Sequence, residues 1–443
     1  MLVRLTVWLE TLRARLWLIP AFGAIGAGLV AWALVAIDRT LGPDATGFFL
    51  FEGGPESARA ILSTIAAAML TFTGLVFSVT MLVLQLASSQ LSPRVTRTFL
   101  RDRKNQVVLA IFVATFVHAL LVLREVRSGD VPFVPSIAVW WAFILLIASV
   151  GAFIYYIDHM AQSMRIETVI GRVGDETQAA IDRCYPDPVG TEPEIRLPVP
   201  EVTEVILSPD APRTLQAVDV AHLERIARQA GAVLEVVPVV GEAVPSGSPL
   251  VRVRGGNAVD AEGIRRGLTL GSERTMDQDP AFGIRQLVDI AVKALSPGVN
   301  DPTTAEEAIA EIVGALTLLV RREMPSPARR LDSDTHFLFD VPSFERIVEE
   351  SFSQIRRAAR THQHVTLTLL DGLRSLAARA SSSGRGEPLR RQAMQIVEAL
   401  PGAELTAEDE AKVRRAAAAV VEALRDGATG TNGGGTAGQP RLH

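Results

Sequence analysis

Four stretches of this chain are uncharged and long enough to cross a bilayer: residues 16–37, 60–87, 107–123 and 135–157. A helix needs about 20 apolar residues to span the hydrocarbon core. Lipid offers the backbone no hydrogen-bond partners, so each stretch has to satisfy its own N–H and C=O groups, which a helix does. All four lie before residue 160, and so do all five tryptophans, Trp8, Trp17, Trp32, Trp140 and Trp141. The expected fold is therefore membrane α-helical, with four transmembrane helices over residues 1–160 and a large soluble remainder.

Loop charges set the expected orientation. The N-terminal arm carries Arg4, Arg13 and Arg15, and the link between spans two and three carries Arg94, Arg97, Arg101, Arg103 and Lys104. The other two links hold only Arg39 with Arg59, and Arg124 with Arg127. The positive-inside rule puts the richer links in the cytoplasm, and four spans return the chain there. Both termini and the soluble part are then cytoplasmic. Trp17, Tyr155 and Tyr156 are expected at the inner interface, with Trp32, Trp140 and Trp141 nearer the outer one.

Span two carries the most informative polarity. Thr64, Thr71, Ser78 and Gln85 recur every seven residues, nearly two helical turns, and so share one stripe. A polar stripe is expected to face protein or water. It fits a helix–helix seam, or a hydrated path in an oligomer. The basic segment from Arg94 to Lys104 would then ring the inner mouth or hold anionic lipid heads. His118, inside span three, is a functional candidate by position, although a neutral histidine bonded to a neighbouring helix accounts for it as well. Gly23, Gly26 and Gly28 in span one are expected to serve close helix packing.

The soluble part begins with a helical extension and proline-rich linker, residues 161–200; its helix, read over 160–184, continues span four inward. A small α/β or barrel-like module is expected over 201–258. Its strands are read at 202–207, 233–240 and 250–253, and its helix at 218–230 with Asp219 near the start and Gly231 beyond the end. A mainly helical domain follows over 259–426, with a disordered Gly/Thr-rich tail at 427–443. Within it, 337–339 reads as a strand and 344–379, 389–400 and 404–425 as helices.

Residues 267–307 hold the densest unusual chemistry. Asp279-Pro280 and Asp301-Pro302 each read as an N-cap followed by proline at the first helical position. Arg285, Asp289 and Lys293 are spaced for ion pairing along one helix face. Arg274, Asp277, Gln278 and Asn300 around these caps are left over, and with Arg285, Asp289 and Asp301 they make the candidate ligand site. The simpler reading of the same residues is a structural polar network between helix ends. Two neighbouring helix N-termini would favour an anion, and the aspartates a cation.

Two segments carry a family resemblance. One is Leu84-Gln85-Leu86-Ala87-Ser88-Ser89-Gln90-Leu91-Ser92-Pro93-Arg94. The other runs from Phe282 to Ala305 and holds Gly-Ile-Arg-Gln-Leu-Val-Asp-Ile-Ala and Leu-Ser-Pro-Gly-Val-Asn-Asp-Pro-Thr-Thr-Ala. Together they resemble the bacterial membrane proteins grouped as DUF2254, from about residue 10 to 425. Val299 and Leu91 depart mildly from the Ile and Phe common there. The resemblance implies a four-helix membrane part and a cytoplasmic C-terminal domain, in a bacterial inner membrane. It implies no activity and carries over no catalytic residue.

Several chemistries find no support in the sequence. The single cysteine, Cys184, excludes an internal disulfide or a cysteine metal site and reads as a small buried apolar residue. His362 and His364, two apart, do not share a helix face. Asp332, Asp334 and His336 read as a solvated loop. No phosphate-binding glycine loop, zinc helix motif or nucleophile–base pair stands out, so no enzyme, metal or cofactor is expected. Residues beyond 160 carry a net charge of −8, which gives no electrostatic reason to expect nucleic acid. The expected partners are the bilayer, further copies of the chain, and a small ion or ligand. The preferred expectation is an oligomeric channel or transporter with a cytoplasmic regulatory domain. The alternative is a membrane-anchored sensor or assembly protein.

Overall fold

The computed structural model describes residues 17–41, 51, 53–90, 103–128, 132–163, 165–188, 200–209, 211–324, 337–380, 385–401 and 405–430. The chain divides into two compact units, Met1–Arg165 and Ile166–His443.

The first unit is built from α1 (Leu18–Leu41), α2 (Pro55–Gln90), α3 (Arg103–Glu125) and α4 (Ser136–Ser163). All four are long and apolar enough to cross a membrane. Helix α3 is the central one and packs against the other three. Its interior face buries Phe112, Thr115, His118, Ala119 and Val122. A Cβ on Gly23 would lie 3.1 Å from the Ala110 carbonyl oxygen, so glycine there lets α1 and α3 approach closely. Ala27 and Ala31 continue that small-residue face, whereas Gly26 has nothing within 4 Å. Phe72, Phe112 and Phe153 form a ring cluster between α2, α3 and α4, with Phe112 fully buried and Phe72 stacking on Phe153 at 4.9 Å.

Helix α4 ends at Ser163, and a separate helix, α5, occupies Ile166–Cys184, so the expected continuous extension is interrupted. Two sheets follow. In the first, β1 (Val202–Leu207) pairs with β5 (Pro249–Arg254), β5 with β3 (Val233–Val236), and β3 in parallel with β7 (Phe337–Phe339). In the second, β2 (Arg213–Val218) lies between β4 (Ala243–Val244) and β6 (Leu268–Gly271). Strand β3 stops before the expected residue 240 because Pro238 has no N–H to give a ladder. Helix α6 (Val220–Ala230) is capped by the Asp219 carboxylate, and Gly231 closes it with φ +61°, where glycine carries no Cβ penalty. Leu215, Leu223, Leu234, Leu250 and Ile264 form the core, Ile264 coming from the short helix α7 (Ala261–Arg266). Because β6 and β7 join these sheets, the β-structure draws on chain well beyond residue 258.

The helical part begins with the hairpin of α8 (Pro280–Ala294) and α9 (Pro302–Leu319), with α5 packed on both. Next come α10 (Phe344–Ala358), a 3-10 turn (Ala359–Thr361), α11 (Gln363–Ala380), α12 (Gly386–Glu398) and α13 (Ala407–Gly430). The single helix expected over 344–379 is broken at this turn. His362 is non-helical there; its N–H donates to the Ala359 carbonyl at 2.8 Å, and the Thr366 hydroxyl donates to the same oxygen at 3.1 Å. Helix α13 runs to Gly430, into the expected tail, and 431–443 lie outside the described residues.

Candidate functional site

Helix α2 turns Leu62, Ile65, Met69, Val76 and Val83 inward. The heptad line of Thr64, Thr71, Ser78 and Gln85 is therefore on the opposite side, and all four are exposed on the single chain. This corrects the reading of the line as a seam between helices of one chain. The Thr64 and Thr71 hydroxyls instead donate to the carbonyls of Ala60 and Ala67, one turn back, at 2.7 and 3.0 Å.

The actual seam inside the bundle uses other groups. Thr80 meets Tyr156 at 2.8 Å, and the Tyr156 hydroxyl also donates to Val76 O at 3.0 Å. Tyr156 is thus turned into the bundle, whereas Tyr155 is exposed. Thr115 meets Ser149 at 3.0 Å across α3 and α4. His118 is fully buried, with Nε2 3.0 Å from the Ala138 carbonyl oxygen of α4.

Sequence reasoning missed Asp38. Its carboxylate, carried by α1, accepts the N–H groups of Ile137 and Ala138 at 3.1 and 3.2 Å and so caps α4 from a different helix. At the same end Arg39 pairs with Glu125, and Arg59 donates to Val126 O at 3.0 Å. Arg103 and Lys104 are exposed at the start of α3. Arg94, Arg97 and Arg101 lie outside the described residues, as do Asp332, Asp334 and His336.

In the second unit, the seven candidate ligand residues occupy three places. Arg274, Asp277 and Gln278 lie at the N-terminus of α8. Asp279 caps this helix through Phe282 N–H at 3.2 Å and is buried against Arg274 at 2.8 Å, while the Arg274 guanidinium stacks 5.1 Å from the Phe282 ring. Burial raises the Asp279 carboxyl above its ordinary range, and Arg274 pulls it back down. The Gln278 amide is committed to backbone, accepting from Val218 N–H at 2.9 Å and donating to Val218 O at 3.2 Å. Arg285 and Asp289 pair at 2.9 Å midway along α8, where Arg285 also donates to Gln354 of α10 at 3.1 Å. Asn300 and Asp301 sit beyond the far end of α8. Asp301 caps α9 through Thr304 N–H at 3.2 Å, and Asn300, at φ +50°, meets His362 Nε2 at 3.0 Å.

Helix α8 has 15 residues, which at 1.5 Å per residue makes it about 22 Å long. The hairpin sets the N-terminus of α9 beside the C-terminus of α8, with Asp301 N–H donating to Ala294 O at 2.9 Å. The two helix N-termini are therefore at opposite ends, and the joint anion site they would have made does not form.

One part of the set does border open space. A cavity of about 400 Å³ is lined by Arg183, Cys184, Tyr185, Val218, Val220, Val239, Val240, Asp277, Gln278, Asp279, Phe339, Asp340, Val341 and Pro342. Cys184 is only half-buried, not sealed in a core, and its Sγ lies 3.9 Å from Asp277 O. Burial pushes its thiol up to about 11, against the pull of Arg183. Asp277 and Asp340 are exposed at the cavity. Asp340, whose carboxylate accepts the N–H of its neighbour Val341 at 2.9 Å, and Cys184 carried no signal for this cavity, because its lining comes from segments distant in the chain. Among the described residues no three His, Cys, Asp or Glu side chains are grouped to hold a metal ion.

Known relatives extend over nearly all of this architecture. An uncharacterized protein of Mycobacterium tuberculosis (strain H37Rv) is 34% identical over 437 residues, covering 96% of this chain and 83% of its own length. An uncharacterized protein of Mycobacterium bovis matches with the same identity and coverage. No solved structure matches. The pattern of the predicted membrane protein family DUF2254 matches residues 13–375. With four apolar helices of spanning length and relatives aligned along almost the whole sequence, the chain belongs to the DUF2254 family of predicted membrane proteins.

Proposed function

We propose that this protein is an oligomeric channel or transporter of the bacterial inner membrane, with its C-terminal unit on the cytoplasmic side as a regulatory domain. The observation that carries the reading is the exposed line of Thr64, Thr71, Ser78 and Gln85 on α2. A path between copies rather than through one chain is favoured by the ring cluster of Phe72, Phe112 and Phe153, which takes up space between α2, α3 and α4. A polar path between copies needs a polar outer face, and α2 has one. The Thr64 and Thr71 hydroxyls are already bonded to their own helix, so the line is compatible with lipid. It is the amide of Gln85 and the regular seven-residue spacing that favour a facing copy or water. Helix α2 has 36 residues, about 54 Å by helical rise, so it runs well past a hydrocarbon core of about 30 Å.

The test is reconstitution with flux measurement. Ser78→Asp in a water-filled path alters conductance or ion selectivity while the oligomer persists. Assembly with no flux in wild type or variant, or Ser78 labelled only from within lipid, defeats the reading. A second reading, a membrane-anchored sensor, draws on the cavity beside Asp277.

A further inference from the structure

We propose that the cavity beside α5 binds a small cationic amphiphile, an apolar body carrying a protonated amine. The site is independent of any conduction by the membrane helices. Its volume of about 400 Å³ falls within the roughly 300–1,000 Å³ typical of small-ligand pockets. The adjoining sheet core is packed, with Leu215, Leu223, Leu234 and Leu250 fully buried.

Charge selects the ligand class. Asp279 is already held by Arg274 and Gln278 by the Val218 backbone, so neither is available to a ligand. Asp277 and Asp340 remain as two carboxylates against one guanidinium, Arg183, among the lining residues. Much of the remaining lining is apolar, including Val220, Val239, Val240, Phe339 and Pro342. A hydrated divalent cation would need several oxygen ligands and would leave those walls wet. An anion would meet the wrong net charge. An organic ammonium group satisfies the carboxylates while its body covers the valines and Phe339.

Cys184 supplies the assay, because it is the chain's sole cysteine and lines the cavity. The full chain in nanodiscs is labelled with N-ethylmaleimide at alkaline pH, with and without 4-phenylbutylamine. The amine slows labelling in a saturable way, and 5-phenylpentanoate, with the same body and a carboxylate, does not. Asp277→Asn and Asp340→Asn each weaken protection by roughly fivefold, the size expected for losing one partly exposed charge partner. Both are surface positions, so these variants fold. Val239→Trp fills the space and abolishes protection; should it fail to fold, the two aspartate variants decide. Calorimetric titration of Cys184→Ala with the amine gives the same affinity without the label. Absence of both protection and heat at millimolar amine overturns the proposal. So does equal binding of the carboxylate, or binding unchanged in the Asp277→Asn/Asp340→Asn double variant, which would assign the amine to the bilayer.

Discussion

Replacing Arg274 by Ala isolates the polar pair that anchors α8. Asp279 is 2% exposed and Arg274 about a third exposed, and they meet at 2.8 Å. Removing one partner of a buried pair costs about 3–5 kcal/mol, because the other charge is left without compensation. The partial exposure of Arg274 places this case at the lower end, about 3 kcal/mol. For a unit of this size that corresponds to a fall of roughly 6–12 °C in its thermal transition. The pH dependence gives the sharper test. Burial holds the Asp279 carboxyl above its ordinary range in the folded chain, and the variant, lacking Arg274, raises it further. A group raised on folding contributes stability below its unfolded value, which is lost as pH climbs through the folded value. The variant's deficit is therefore largest near neutrality and shrinks as pH falls toward about 4. Melting curves of the full chain in detergent between these limits measure it. In an Asp279→Asn background, where the cap persists without the charge, Arg274→Ala costs about 1 kcal/mol or less. A deficit that does not shrink with acid, or is equal in both backgrounds, refutes the argument.

Gly241→Ala and Gly247→Ala make a matched pair. Both glycines have positive φ, but a Cβ on Gly241 would fall 2.0 Å from Asp279 Oδ2 and one on Gly247 would meet nothing. The φ penalty of about 1–3 kcal/mol is common to both, so the Gly241 variant melts lower. Gly23→Val weakens the α1–α3 contact and Gly26→Val does not, as resistance to SDS unfolding reports. Asp301→Ala removes the cap of α9 and costs about 1 kcal/mol in the melting transition of the second unit. N-ethylmaleimide labelling of Cys184 rises about tenfold per pH unit through pH 10, because its thiol is pushed up to about 11; a plateau near pH 9 contradicts this.

What the sequence made legible was local. Asp219, Asp279 and Asp301 cap the helices their neighbours announced, and Gly231 ends one in the left-handed region. Apolar length was enough to find all four membrane-type helices. The seven-residue spacing on α2 showed that its polar groups share a face, but spacing cannot say which way that face turns. The same limit hid Tyr156, which points inward while its neighbour Tyr155 points out. Non-local partners were out of reach: Asp38 meets Ile137 from 99 positions away. The apparent polar network from Arg274 to Asn300 was close in sequence only, since α8 holds its two ends apart.

Strand β7 has a consequence for dissection. Its three residues lie parallel to Leu234–Val236 and close a border that β3 would otherwise present bare. A fragment cut anywhere between 258 and 337 strips that border and exposes strand backbone to self-association. The first sheet is thus completed only once the chain has been made as far as Phe339, after the hairpin of α8 and α9.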